Sequence, residues 1–591
     1  MQKDGGDFIA ETRIARLSLI SAGIGVVAGF IAYALYHLIG LITNIFFYGR
    51  ISDSFVAPDH SPFGPLVIIL PAIGGLLAGL MIKYGSPKII GHGIPEAMEA
   101  VIVDKSKIEP KVGLLKAVSG AVTIGTGQPF GAEGPIIQTG GAFGSFVGQT
   151  MKISAGERNI LLSAGAAAGM AAVFGTPIAA VLLSIELLLF QFRVRTLVPV
   201  VIASAIGGAM HVVLIQAQPL FQTPAYNFGN LYDLILFVPL GLVCGVAAYL
   251  LSHALYRTES VFTKIPLGQP WLPAVGGLFV GVIGFFVPQI FGVGYNIIED
   301  LLTGRVLVLL ALSILIAKSV AWTLAMGSRT SGGTLAPFFM IGAAIGLLYG
   351  MLIRDMFPSL GLAAQIFAIA GLGAVFGSAA RAPLTCIAFA LEVTGDYSGA
   401  IAVMLTIISA DLVTEYLMDS TLMTEKLYKR GLRIRHQYDY NPLMHISLSR
   451  IMERSFVNAD VCDSVREVRF WLSKPSEVAL RSGYVLVSKK GKVTGIVTLG
   501  ELFDAGLDER MEIGSLPVAS FITMPSTSFA YDALVQLIKN SAKYVIVTND
   551  AGLPCGIVSE DDFMLPMKNR LKEYFTAERF ITLFGKRGDR D

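Results

Sequence analysis

From residue 17 to about residue 418 the chain alternates apolar runs with short breaks rich in glycine and proline. Apolar segments are read at 17–47, 66–82, 113–124, 136–151, 159–174, 178–192, 197–215, 234–251, 271–287, 306–325, 337–353, 364–376, 383–393 and 400–418. Their lengths and composition predict helices. Many are shorter than the ~20 residues that span a bilayer. Short, interrupted segments predict helices that stop part-way through a membrane. Such breaks are tolerated only where they face protein or a water-filled cavity.

Beyond residue 418 the pattern changes. Residues 425–445, EKLYKRGLRIRHQYDYNPLMH, are basic and polar and read as a linker. Two similar units follow, ending SGYVLVSKKGKVTGIVTLGELF (482–503) and AKYVIVTNDAGLPCGIVSEDDF (542–563). Each reads as strand, turn with glycine, strand and helix start, with a helical pattern upstream (CDSVREVRFWLSK and FAYDALVQLIKNS). The expected organisation is a membrane domain at 1–424, a linker at 425–445, a βαββα tandem at 446–575 (units at about 446–505 and 515–568) and a tail at 576–591.

The membrane part repeats itself. Lys116, Pro135, Gly140, Gly144 and Gly148 match Lys318, Pro337, Gly342, Gly346 and Gly350 at one constant offset. GTPIAAVLLSIE and RAPLTCIAFALE match from Pro177 to Glu186 and from Pro383 to Glu392. Two related halves suggest a transporter or channel with its site where the halves meet. Glu186 and Glu392 each end an apolar helix, and are expected to reach water or a basic partner such as Arg193.

Within GTGQPFGAEGPIIQTGGAFGSFVG (125–148), Glu133 lies between Ala132 and Gly134, just before Pro135. Proline is tolerated in the first turn of a helix, so Glu133 falls at a helix N-terminus. Free N–H groups there favour negative charge. An acidic residue inside a membrane marks a functional site by default. Glu133 is therefore expected to compete with a permeating anion for that helix end.

Composition sharpens this picture. Of 591 residues 53% are hydrophobic and 15% charged, against about 25% charged in a soluble domain. The chain is mainly a membrane protein. Its net charge of +2 gives no case for nucleic acid. The 64 glycines exceed the average of about 7% and suit closely packed helices. Cys244, Cys386, Cys462 and Cys555 share no metal-ligand spacing. No Walker loop, HExxH or Ser-His-Asp arrangement is present, so no metal site and no enzyme is expected. Arg13 and Arg16 before the first run, and Lys426, Lys429, Arg430, Arg433 and Arg435 after the last, argue for cytoplasmic termini in a bacterial-type inner or plasma membrane.

GHGIPE at 91–96, GAEGP at 131–135 and GTLAP at 333–337, in this order and with the repeat and the tandem tail, resemble the CLC family of chloride channels and chloride/proton exchangers. The tail resembles the paired CBS domains of many members. The resemblance implies an all-α membrane domain of two inverted repeats with broken helices, usually a homodimer with one pore per subunit, followed by a soluble α/β CBS pair. It makes Glu133 the gating glutamate, occupying an anion site when ionised and leaving it when protonated or displaced. It assigns the anion to helix ends at His92, Gly93 and Ile94, at Gly131, Ala132 and Gly134, and at Leu335, Ala336, Pro337 and Phe338. Backbone dipoles hold an anion there without a full opposite charge that would trap it.

The chain departs from the family pattern in three places. His92 stands for the family's serine. It either donates an N–H to the anion, with a charge that changes near neutral pH, or stays neutral, bonded to backbone or facing the inner vestibule. Leu187, next to Glu186, stands where exchangers place an internal proton acceptor. Glu186 is a poor substitute, since adjacent helix positions point about 100° apart. Met423 stands for the pore tyrosine and offers no O–H. Leu335 also replaces a phenylalanine.

The expected function is a chloride channel or passive transporter gated by Glu133, weakly or not proton-coupled. Alternatives are a coupled exchanger, a path for bicarbonate, nitrate or fluoride, or a CBS nucleotide sensor on a non-conducting scaffold. No cofactor is required. ATP, ADP or AMP is a candidate ligand of the tandem, at Thr498 with Glu501 and at Ser559 with Asp562. The alternative role of those pairs is to cap the following helix.

Overall fold

The computed structural model describes residues 5–563 apart from 59–60, 152, 190–193, 430–442, 444–445, 474–482, 490–491, 505–506, 517–518 and 550. The chain divides into two units, Met1–Tyr438 and Asp439–Asp591. Most of the expected linker and all of the 576–591 tail lie outside the described residues, as does Arg193.

The apolar runs form helices: α1 (Gly5–Tyr48), α2 (Leu70–Tyr84), α4 (Pro110–Gly125), α5 (Glu133–Thr150), α6 (Ala155–Phe174), α7 (Pro177–Leu183), α8 (Val194–Leu214), α9 (Phe237–Lys264), α10 (Trp271–Phe286), α12 (Val308–Gly327), α13 (Leu335–Met356), α16 (Pro383–Thr394) and α17 (Ala400–Leu417). Among the described residues, seven helices are long and apolar enough to cross a membrane. The run at 364–376 is two helices, α14 (Ala364–Leu372) and α15 (Ala374–Ala380), parted at Gly373. The run after α7 continues as a π turn, Ser184–Leu189. Two short helices have no counterpart among the apolar runs: α3 (Ile94–Ile102) and α11 (Tyr295–Thr303). Carboxylates and polar residues interrupt both. A last short helix, α18 (Glu425–Lys429), closes the membrane unit.

The repeated glycines are explained by helix approach. A Cβ at Gly140 or Gly144 would strike the backbone carbonyl of Gly165 or Leu161 on α6. In the second half, a Cβ at Gly342 or Gly346 would strike the carbonyl of Gly371 or Phe367 on α14. The same small-residue face thus seats α5 on α6 and α13 on α14.

The repeated lysines are pins. Lys116, fully buried, donates to the carbonyls of Ile89 (2.9 Å) and Gly91 (2.6 Å). Lys318, also fully buried, donates to those of Ile290 (2.9 Å) and Gly292 (3.0 Å). Each ammonium holds the loop leading into a short helix, α3 or α11. Lys318→Met should leave two buried carbonyls without donors and cost about 2–4 kcal/mol. Thermal unfolding in detergent measures this, and an unchanged midpoint would contradict the pin.

Among the described residues, Glu186 and Glu392 each reach across to the other half of the repeat. The Glu186 carboxylate accepts from Leu384 N (3.1 Å), Thr385 N (2.9 Å) and Thr385 Oγ1 (2.5 Å), at the start of α16. The Glu392 carboxylate accepts from Ile178 N (2.9 Å) and Ala179 N (2.8 Å), at the start of α7. Each half therefore caps a helix of the other. Pro177 and Pro383 open those helices, and a carboxylate satisfies the next two N–H groups of each. The exchange requires α7 and α16 to run antiparallel, as an inverted repeat demands.

The second unit holds two matching modules. In the first, β1 (Phe456–Asp460) pairs parallel with β2 (Tyr484–Lys489), which pairs antiparallel with β3 (Lys492–Thr498). In the second, β4 (Phe521–Pro525), β5 (Tyr544–Thr548) and β6 (Pro554–Ser559) repeat that order. Helices at Val465–Ser473 and Ala530–Asn540 join the parallel strands, and the last element of each expected βαββα unit is a single turn, Leu499–Leu502 and Glu560–Phe563. Leu486, Ile496, Ile546 and Ile557 form a common buried seam, with Tyr484 edge-on to Tyr544 at 5.5 Å.

Candidate functional site

Three glycine-rich loops meet inside the membrane unit. Gly91 N donates to Thr330 O (2.8 Å), and Gly332 N returns a bond to Gly91 O (3.2 Å). Gly131 N donates to Gly333 O (3.4 Å). Gly134 sits so close to the His92 and Gly332 carbonyls that a Cβ would strike both. These contacts bring residues 91–94, 131–134 and 333–338 together, so the ends of α3, α5 and α13 converge.

Glu133 lies at this junction, 1% exposed. It is the first residue of α5, but its carboxylate does not serve its own helix alone. Oε1 accepts from Leu335 N at 2.5 Å, at the start of α13. The N–H groups of Thr334 and Ala336 also act on it. The carboxylate rests against Gly131 and Gly333, where a Cβ would collide with it. Oε2 has no hydrogen-bond partner. Lys116 and Lys318 both lie within electrostatic range of it. A carboxylate thus fills a helix end that is suited to any small anion.

The expected donors are only partly available. Pro337 has no N–H, and Phe338 N is consumed by Thr334 O (3.2 Å). The Phe338 ring packs edge-on against Trp322 at 4.7 Å, in the core. Leu335 and Ala336 carry the donors at α13. At α3, Gly93 N is taken by Glu96 Oε2 (3.0 Å), which leaves Ile94 N as the donor. Gly93 is the N-cap, with φ of 87°, a conformation that favours glycine. At α5, the N-cap Ala132 accepts through its carbonyl from Ile136 N (3.1 Å).

His92 is 3% exposed, with its ring against the Leu422 backbone and Nδ1 without a partner. Met423, next to Leu422 in sequence, is fully buried, and Leu422 O accepts from Tyr256 Oη (2.8 Å). The structure thus brings the 421–424 segment to the α3 end. Leu187 is fully buried in the π turn. Glu186 is committed to the α16 cap.

In the second unit both hydroxyl–acid pairs are caps. Thr498 Oγ1 accepts from Glu501 N (3.3 Å) and donates to Glu501 Oε2 (2.8 Å). Ser559 N and Oγ donate to Asp562 Oδ2 (2.7 and 2.8 Å). The residues missed in the sequence are Glu96 and Lys426. Glu96 stands three residues after the N-cap Gly93, where a capping acid belongs.

Residues 74–415 match the family described as voltage gated chloride channel. The chain is 30% identical over 429 residues to the H(+)/Cl(-) exchange transporter ClcA of Citrobacter koseri, covering 70% of this chain and 89% of that one. It is 30% identical over 447 residues to the same-named protein of Salmonella paratyphi B, covering 73% and 91%. A slow cyanobacterial Cl-/H+ antiporter has a similar fold, with a TM-score of 0.63 at 23% identity, covering 71% of this chain and 99% of that one. A eukaryotic CLC transporter gives 0.59 at 19%, covering 93% and 98%.

Proposed function

The chain belongs to the voltage gated chloride channel family, and we propose that it carries small monovalent anions, chloride first, through a pore gated by Glu133. It is an integral, multi-pass membrane protein of a family that transports anions. The observation that carries the proposal is the Glu133 carboxylate on the N-terminal N–H of α13, 2.5 Å from Leu335 N. An anion of similar charge can replace it there, and protonation would loosen it.

The relatives are named exchangers, so coupling is the point to decide. Leu187 cannot take a proton, and Glu186 spends both oxygens on backbone and hydroxyl donors of α16. These features support weak or no proton coupling. Regulation by the βαββ tandem, assembly as a homodimer, and cytoplasmic termini are parts of the same reading. A nucleotide in the tandem would have to compete with the Ser559–Asp562 and Thr498–Glu501 caps.

The test is purified protein in liposomes, with chloride and pH followed on both sides. The expected result is chloride flux with little proton movement. Robust proton pumping driven by a chloride gradient would overturn the uncoupled reading. Replacing chloride by nitrate, bicarbonate and fluoride in turn ranks the anions.

A further inference from the structure

The Glu96 carboxylate has two engagements. Oε2 accepts from Gly93 N (3.0 Å), the cap of α3. Oε1 meets Lys426 Nζ at 3.5 Å, with the two side chains 14% and 31% exposed. Lys426 belongs to α18, which begins just after Met423. Its ammonium also lies over the loop into α3, since a Cβ at Gly91 would stand 2.8 Å from Nζ. Glu96 and Lys426 line a cavity of about 610 Å³ together with Gln138, Tyr256 and Arg329. Gln138 is 2% exposed and its Oε1 has no partner. The pair therefore stands between an open, polar cavity and the end of α3 where His92 and Ile94 sit.

The repeat shows that this arrangement is not required to build the loop. The second half has the equivalent Gly292-Val293-Gly294-Tyr295-Asn296-Ile297. There Lys318 pins the loop as Lys116 does, but Ile297 replaces the acid and Gly294 caps α11 with no side-chain bond. An isolated carboxylate at the α3 end would use up its positive pole and repel an incoming anion.

We propose that Lys426 is a positioning residue for anion binding: it neutralises Glu96 and so keeps the α3 end open to an anion that enters through the cavity. This rests on the reading of the 91–94 loop as part of the anion path. Without Lys426, only Lys116 is left to oppose the Glu96 charge, and that charge faces the anion more strongly. With Glu96 neutral, Lys426 is no longer needed.

The experiment uses full-length protein in planar bilayers, with chloride varied on one side at a time. Lys426→Met should raise the half-saturating chloride concentration about five-fold, and only from the side onto which the cavity opens. Glu96→Gln, whose amide oxygen still accepts from Gly93 N, leaves the Lys426 charge unopposed and should lower the value, and Glu96→Gln with Lys426→Met should return it to near the wild-type one. Lys426→Arg should behave as wild type, which separates lost charge from damaged packing. An unchanged value in Lys426→Met, or a double variant raised as far as Lys426→Met alone, would overturn the proposal while leaving the pore intact. Absence of chloride flux in the wild-type protein would overturn the pore reading itself.

Discussion

Glu133→Ala is expected to abolish gating by pH and voltage while anion flux persists. The carboxylate and a permeating anion require the same donors, Leu335 N and its neighbours at the start of α13. A hydrogen bond to a charged group is worth about 1.5–3 kcal/mol, so removing the competitor should tighten anion binding there by roughly ten- to hundred-fold. Chloride titration of the purified protein by calorimetry measures this, and flux recordings show whether gating is lost. In the wild type, acid should open the path, because a protonated carboxyl holds N–H donors weakly. Alkaline conditions should close it. Glu133→Gln should imitate the acid state at every pH. A variant whose flux still follows pH as the wild type does would remove Glu133 from the gate.

The second large effect is on stability. Glu186→Leu should strand the N–H groups of Leu384 and Thr385, and Glu392→Leu those of Ile178 and Ala179. Where lipid replaces water, such donors find no other partner. Each change should cost about 2–4 kcal/mol. Together they should separate the halves more than either does alone, because α7 and α16 are held by both caps at once. Unfolding in mixed micelles, followed by circular dichroism, tests this. Glu186→Gln and Glu392→Gln should retain part of the stability, since the amide oxygen still accepts. Full stability in either leucine variant would show that the caps are dispensable.

Local and periodic signals carried most of the fold. The apolar runs located the long helices, although α1 begins 12 residues before its run and α9 ends 13 residues after it, where polar residues continue the helix. Pro135 after Glu133 located the start of α5. The apolar pattern missed the short helices α3 and α11 because polar residues break it, and only the family resemblance implied a helix start at Gly93 and Ile94. The partner of each key carboxylate was also hidden. Glu133 bonds to Leu335, Glu186 to Leu384 and Glu392 to Ile178, across the two halves of the chain. No local propensity encodes such a distance, which the inverted repeat alone brings to zero. Phe338 misled for a different reason. It stands in the motif, but its N–H is used within the helix and its ring belongs to the core.

The exchange of caps also sets a schedule for biosynthesis. The acceptor for the start of α7 is Glu392, 214 residues later in the chain than Ile178. At about 5–20 residues per second, it leaves the ribosome roughly 10–40 s after the helix it completes. During that interval the first half sits in the membrane with an unfinished helix end and must be shielded, by lipid headgroups, water or the insertion machinery. Arrest of translation between the halves should therefore yield a nascent chain bound to that machinery rather than a released, half-sized domain.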